Sequence, residues 1–462
     1  MRSQFRLATR ARQPYAHAIM LPLPEFIESD KDLPDTVDVV IVGGGIIGTC
    51  TAFELAERGL KVALFEKGRI AGEQSGRNWG WCRQMGRDSR EMPLIVESLR
   101  LWRGMNDRTG AETGFTQSGI AYLETDERGL EQRKAWAVKN AQPFQVNSRI
   151  VRGEELDRLV PGASARFAGG LYTESDGRAE PQLAAPAIAQ AARNMGVRIF
   201  TGWAVRGIET EAGKVSGVMT ERGFVRCSTV VYAGGAWSRR FLGNLGLDLP
   251  QLITLSNVQA TEPLDLPYAT SFAGGKYAVR KRADGGYTIA HNAITVSDII
   301  PASFKYMKAF LPALRAEWPS LKLRFGKRFI SEAMLASRWS LDEVSPFEKV
   351  RVLDPEPVDW VLEDCLNELA SDHPEFKGIT ITRKWAGIID VTPDAVPVIS
   401  GIALIPGLFL ATGFSGHGFG IGPGAGKLMA DLVTGKTPVV DPAPFAYTRM
   451  IDGSRLMPET EV

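Results

Sequence analysis

The sequence predicts an α/β chain: a parallel sheet wound with helices, joined to a second α+β unit built on a mainly antiparallel sheet. Three observations lead there. A strand, glycine turn, helix and second strand occupy residues 38–67. Strands that run into glycine recur at 229–235 and 407–413. Between about 252 and 372 the chain carries hairpin signals instead.

The first unit reads DVVIVGGGIIGTCTAFELAERGLKVALFEK. Its opening apolar run, 39–42, has the character of a strand buried on both faces. The run enters Gly43, Gly45 and Gly48 in G-x-G-x-x-G spacing, with Ile46 and Ile47 starting the helix. This spacing suits a dinucleotide. The first glycine makes a tight turn, the second lets a pyrophosphate approach the main chain, and the third lets the helix press on the strand. The helix N-terminus adds free N–H groups and the positive end of a dipole. The second strand, 61–65, ends in Glu66, 18 residues past Gly48, where an acid accepts hydrogen bonds from ribose hydroxyls; Lys67 follows. Strand, helix, second strand and acid in order make this a Rossmann-like unit.

Residues 71–88 are rich in Gly, Ser, Arg and Trp and read as a long irregular connection, a class of loop that is usually functional. A helix is expected over 92–106, then a mixed region to 167. A second α/β pattern follows: helix 183–194, strand 197–200, a two-stranded excursion around Gly213, and strand 229–232 leading into Ala233, Gly234 and Gly235. Ala283-Asp284-Gly285-Gly286 predicts a hairpin joining 277–280 to 287–290. The end of the chain predicts strand 407–411, a glycine-rich loop 413–422, and a helix from near Pro423 that stops at Gly435. The expected organisation is an N-terminal arm (1–35), a discontinuous nucleotide domain (36–90, 165–250 and 376–450) and a substrate domain (91–164 and 251–375).

Composition limits the function classes. At 462 residues, two or three units of roughly 150 residues are expected. The charge is balanced, 54 Lys+Arg against 53 Asp+Glu, which gives no global field for nucleic acid and favours a small-molecule partner. Cys50, Cys82, Cys227 and Cys365 lack metal or disulfide spacing, in keeping with a reducing, cytoplasmic setting. The histidines are far apart in sequence and no metal site is expected. No apolar run approaches the roughly 20 residues that span a bilayer. The basic start, with Arg2, Arg6, Arg10 and Arg12, reads as an arm or a transit peptide.

Four motifs, GGGIIG (43–48), VVYAGGAWS (230–238), TPDAVPVIS (392–400) and ATGFSGHGFGIGPG (411–424), stand in the order and spacing of one family. With them the chain resembles the D-amino acid oxidase superfamily of flavoproteins, particularly its glycine oxidase, sarcosine oxidase and D-amino acid dehydrogenase branch. The resemblance implies FAD. Glu66 would hold the adenosine ribose, Ser75, Arg77 and Asn78 would lie along the pyrophosphate with Trp79 beside them, and the Val205 main chain would meet the adenine edge. Gly234 and Trp237 would lie near the flavin, and Gly387, Gly413, Gly416, His417, Gly418 and Phe419 would surround its ring. Sarcosine oxidases carry a flavin-bonding cysteine five residues before Thr-Pro-Asp; here that residue is Gly387, so non-covalent FAD is expected. Their lysine after the Gly-His-Gly-Phe run is Gly420 here. Their oxygen-activating lysine would fall near Thr288 or His291.

The chemistry implied is oxidation of a carbon–nitrogen bond by hydride transfer, giving an imine that water hydrolyses. A fixed cation must then hold a substrate carboxylate, and arginine's planar fork suits it. Arg83 is the favoured candidate, with Arg77 and Arg87 competing. Trp79, Trp81 and Trp237 are candidate pocket walls, His417 is a flavin neighbour rather than a base, and His291 is a candidate to face the ligand. The substrate expected is an N-substituted glycine, an iminodiacetate-like compound or a D-amino acid. Oxygen, a quinone or a partner protein stays open as electron acceptor, in a homo- or hetero-oligomer. An assembly factor holding FAD without turnover is the reading from another class.

Overall fold

The computed structural model of the protein describes residues 23–459. The arginines at 2, 6, 10 and 12, and His17, lie outside the described residues.

The first sheet has six strands in the order Val398–Gly401, Leu408–Thr412, Thr229–Tyr232, Val39–Val42, Val62–Glu66 and Arg198–Thr201. Neighbours are parallel except at the edge, where Val398–Gly401 runs antiparallel to Leu408–Thr412. Val39, Val40, Ile41, Ala63 and Leu64 are all buried, as parallel strands covered on both faces must be. The chain goes from Val39–Val42 to Val62–Glu66 and then Arg198–Thr201 on one side, while Thr229–Tyr232 and Leu408–Thr412 add on the other. This reversal opens a crevice at the carboxyl ends of the central strands.

The helix Ile46–Glu57 packs between Pro181–Asn194 and the C-terminal helix Gly418–Thr434. The last of these starts at Gly418, four residues before the glycine-rich loop was expected to end, and Pro423 lies inside it. Its glycines serve contact rather than loop formation. A Cβ on Gly422 would meet Ile46 at 2.7 Å, one on Gly424 would meet the Leu94 carbonyl at 2.7 Å, and one on Gly426 would meet Cys50 at 2.6 Å. Gly435 ends the helix in the left-handed conformation, φ +63°, where the sequence places it.

The second sheet has ten strands, running Leu321–Arg324, Thr295–Asp298, Leu252–Thr261, Tyr287–His291, Tyr277–Lys281, Ser271–Ala273, Ile120–Glu124, Gly169–Thr173 and Ser148–Val151, with Ile381–Val391 paired along Leu252–Thr261. It is antiparallel apart from two pairs. Gly169–Thr173 and Ile381–Val391, which the sequence boundaries assign to the nucleotide domain, hydrogen-bond into this sheet. The excursion around Gly213 is three-stranded, gaining Gly223–Arg226. Strands alone do not account for 252–372. It also holds the helices Pro301–Lys305, Met307–Ala316, Lys327–Met334, Pro346–Lys349 and Asp359–Asp372. Among the described residues no helix is long and apolar enough to cross a membrane.

Candidate active site

A cavity of about 830 Å³ runs from the carboxyl ends of the parallel strands to the face of the second sheet. Its nucleotide end is made by main chain. Gly43 has φ +115°, and a Cβ there would stand 2.4 Å from the Ala233 carbonyl oxygen; one on Gly48 would stand 1.9 Å from that of Gly43. Only glycine permits this approach of turn, helix and neighbouring strand. Ser75 Oγ accepts from the Ile46 N–H at 2.9 Å, setting the following short helix, Gln74–Arg77, against the turn.

Glu66 ends the second strand with both oxygens engaged, accepting from the N–H of Gly44 and of Gly68 at 2.7 Å each. A carboxylate has about four acceptor sites, so two remain for hydroxyl donors. Burial pushes the Glu66 pKa up, and Lys67 and the two N–H groups oppose that shift. Lys67 Nζ lies 2.6 Å from Glu73 and 4.5 Å from the Trp237 ring centroid, and Trp237 Nε1 donates to Glu73 at 3.1 Å. Trp237 therefore lines the cavity while held in a clamp with Lys67 and Glu73. Glu73 escapes sequence reading because one more acid in a polar loop carries no pattern. Val205, Gly234 and Gly235 line the same end.

Arg77 is buried, bonded to Asp354 at 2.8 Å and to the Ala386 carbonyl at 3.2 Å, and its own carbonyl accepts from Trp385 Nε1 at 2.9 Å. It ties the irregular loop to the strand that carries Gly387, and of its guanidinium nitrogens Nη2 alone has no partner among the described residues. Asn78 donates to the carbonyl of Ser75 at 2.8 Å and accepts from the Gly80 N–H at 2.7 Å, holding the turn that presents Trp79 and Trp81. Those indoles meet edge to face with centroids 5.8 Å apart, and Trp79 donates to Ser256 at 3.0 Å.

Arg83 lines the cavity. Its guanidinium bonds the Met85 carbonyl and stands 5.9 Å from the Tyr122 ring centroid, and among the described residues it has no ion pair. Arg87 is buried and lines the cavity too. Its Nε donates to the Arg83 carbonyl at 3.1 Å, while Nη1 has no partner among the described residues. Burial, then the neighbouring Arg83 charge, lowers its pKa to about 10. Arg133, which the sequence does not single out, completes the group with 2.6 Å to Glu124 and 4.8 Å to the Tyr122 ring centroid.

The flavin-end residues of the glycine-rich motif also meet here. His417, the N-cap of Gly418–Thr434, puts Nδ1 3.0 Å from Glu91, a fully buried carboxylate absent from the sequence candidates. Burial, then the charge of Arg87, holds the imidazole below its ordinary pKa. Gly413 (φ +74°) and Gly416 (φ +85°) turn the chain into that helix, beside Phe419. Asp390, buried ahead of the Thr-Pro-Asp motif, accepts from the Gly413 N–H and from Gln251, each at 2.9 Å. His291 is differently placed: Nδ1 accepts from the N–H groups of Ala293 and Ile294, and Nε2 faces Asp364 at 3.2 Å. Neither nitrogen is left for a substrate.

A scan against family models matches residues 38–432 to the FAD dependent oxidoreductase family. The chain belongs to that family. Within it, glycine oxidase of Pseudomonas aeruginosa is 28% identical, the match covering 88% of this chain and 98% of that protein. Among solved structures, L-amino acid deaminase from Proteus myxofaciens in complex with anthranilate is 37% identical, with TM-score 0.88 and coverage of 92% and 96%. L-amino acid deaminase from Proteus vulgaris is 34% identical, with TM-score 0.87 and coverage of 91% and 99%. The protein is an FAD-dependent amine or amino acid oxidase or dehydrogenase. The residues present fit the cofactor: a glycine cradle no Cβ could enter, a helix N-terminus, and a carboxylate with acceptor sites to spare.

Proposed function

We propose that the protein oxidises the bond between the α-carbon and nitrogen of an amino acid with an apolar side chain. Arg83 carries this reading, as a cavity-lining cation with no ion pair among the described residues. A substrate carboxylate meets its fork with two charge-assisted hydrogen bonds, and the buried cation of Arg87 adds to the attraction. Beyond the indoles of Trp79 and Trp81 the wall is apolar, with Ile299, Phe304, Met307, Phe310 and Leu314 offering a surface for a hydrocarbon or aromatic side chain. The likeness to L-amino acid deaminases supports an α-amino acid over the N-substituted glycines and the iminodiacetate-like compound.

Glu66, Ser75 and the Gly43–Gly48 turn would hold the nucleotide half of FAD, and Gly387, Gly413 and the His417–Phe419 segment would surround its ring. When bound, the cofactor would supply the hydride acceptor. The chain's residues hold the carboxylate, position the amine and exclude water, and the imine hydrolyses on release.

An acceptor other than oxygen is the second reading. Lys67 is the sole lysine among the described cavity-lining residues, and Glu73 holds it at the nucleotide end. Thr288 bonds Arg280, and His291 is engaged as described. Anaerobic addition of phenylalanine or leucine should bleach the flavin, and admitting air should restore the colour slowly, with a quinone faster. Flavin that stays oxidised with all amino acids and N-substituted glycines would reject catalysis of this kind.

A further inference from the structure

Glu91 is a carboxylate with no solvent exposure, fixed to the one cavity-lining histidine that keeps a ring nitrogen free, and the function proposed above assigns it no task. Its Oε2 lies 3.0 Å from His417 Nδ1, while Oε1 has no partner among the described residues. A buried carboxylate in that place accepts a hydrogen bond from Nδ1–H and so leaves the Nε2 lone pair as the free one. The His417 side chain keeps 22% of its exposure, on the cavity, and Nε2 makes no hydrogen bond among the described residues.

We infer that His417, held by Glu91, takes the proton that a substrate ammonium must lose before oxidation, once a carboxylate has paired with Arg83. This rests on the substrate reading above. The N–H bond of the ammonium breaks, a bond from Nε2 to hydrogen forms, and no electrons change hands. The products are a neutral amine and an imidazolium ion-paired to Glu91, and the proton leaves to solvent when the product departs.

The charges around the ring make the step conditional on binding. Burial, Arg87 and Arg83 disfavour an imidazolium and Glu91 favours it, and together they hold the ring below its ordinary basicity in the free enzyme. Arg87 in turn faces Asp176, Tyr122 and Glu91. A carboxylate on Arg83 cancels one of the two repelling cations. The imidazole becomes more basic at the moment an ammonium is beside it.

The chain has four histidines, so ¹³C-histidine NMR of the FAD-loaded enzyme can follow each ring, with assignment by single substitution. The probe is 3-phenylpropionate, a carboxylate without an amine. At saturation the His417 midpoint should rise by about one unit or more, with His291 and His373 unmoved, as expected for removal of a nearby charge. Glu91→Gln should lower the midpoint in both states. In His417→Asn, anaerobic flavin reduction by phenylalanine should need a higher pH, because the amine must shed its proton in water. If 3-phenylpropionate perturbs the flavin spectrum while the His417 midpoint stays still, the inference falls and the substrate reading survives. Failure of the carboxylate to bind at all removes both. If the variants lose FAD, the native-enzyme titration alone decides.

Discussion

At the residue scale, the substrate role proposed for Arg83 and the cofactor role proposed for Glu66 are tested by opposite outcomes. Arg83→Ala should leave FAD content near normal and lower kcat/KM by roughly 2 to 4 orders of magnitude, the effect of losing a charge-assisted bidentate contact. Arg83→Lys should recover part, since the charge remains but the planar fork does not. Loss of FAD in Arg83→Ala would move the residue to the cofactor site. Glu66→Ala should behave in the opposite way. It leaves the Gly44 and Gly68 N–H groups and the ribose hydroxyls unpaired, which costs about 1.5 to 3 kcal/mol of FAD affinity, read by fluorescence titration of the apoprotein. Neither acid beside Trp237 or His417 could be found from sequence. Glu73 and Glu91 gain their partners only when loop and helix are brought to strands that lie far along the chain.

At the scale of elements, the C-terminal helix shows why a glycine-rich segment is ambiguous. Helix Gly418–Thr434 approaches Ile46–Glu57 and Met92–Arg103 so closely that Ser98 and Trp102 donate to the Gly420 carbonyl at 2.7 and 2.9 Å. Glycine's low helix propensity is outweighed by close packing, which the segment's composition alone does not reveal. Gly426→Ala should destabilise the protein by about 1 to 3 kcal/mol through overpacking against Cys50, measured by denaturant unfolding. Gly104→Ala, with nothing near its Cβ position, is the control and should be neutral to slightly stabilising. In 307–316, Met307, Phe310, Leu311 and Leu314 stand at the i, i+3, i+4, i+7 spacing of a helix. Reading 252–372 as strands and hairpins passed over it.

For the whole molecule, the buried titratable groups set how stability depends on pH. His373 lies among Phe167, Tyr268, Phe272 and Tyr277, and burial holds it below the ordinary value of about 6.5. As pH falls through that value the unfolded chain takes up a proton the folded one refuses, so stability is lost on the acid side. His291 and His417 act in the same direction. Asp176 opposes them, with Glu66 and Asp390 acting in its direction because burial raises them too. Burial raises the Asp176 pKa to about 6, so the folded state binds its proton first, and this contribution is present at low pH and lost as pH rises through about 6. In thermal unfolding, the Tm at pH 5.5 relative to that at pH 7.5 should therefore rise in His373→Phe and drop in Asp176→Asn, each compared with the parent. A difference unchanged in both would assign the pH dependence to other groups.

The sequence by itself determined the glycine turn, the acid that ends the second strand, the order of the parallel strands' segments and the family, because these depend on local geometry. A tight turn needs glycine, and a strand buried on both faces needs an unbroken apolar run. It also marked the arginine-tryptophan loop as the place to look for a substrate. Only the tertiary structure decided what each of those side chains does. Arg77 became a buried tie and Arg83 a cation without an ion pair among the described residues because of where Asp354, Ala386 and Met85 stand. His291 was closed off by Asp364, and His417 left half open by Glu91. Charge and access are set by neighbours distant in the chain, and no spacing within one segment encodes them.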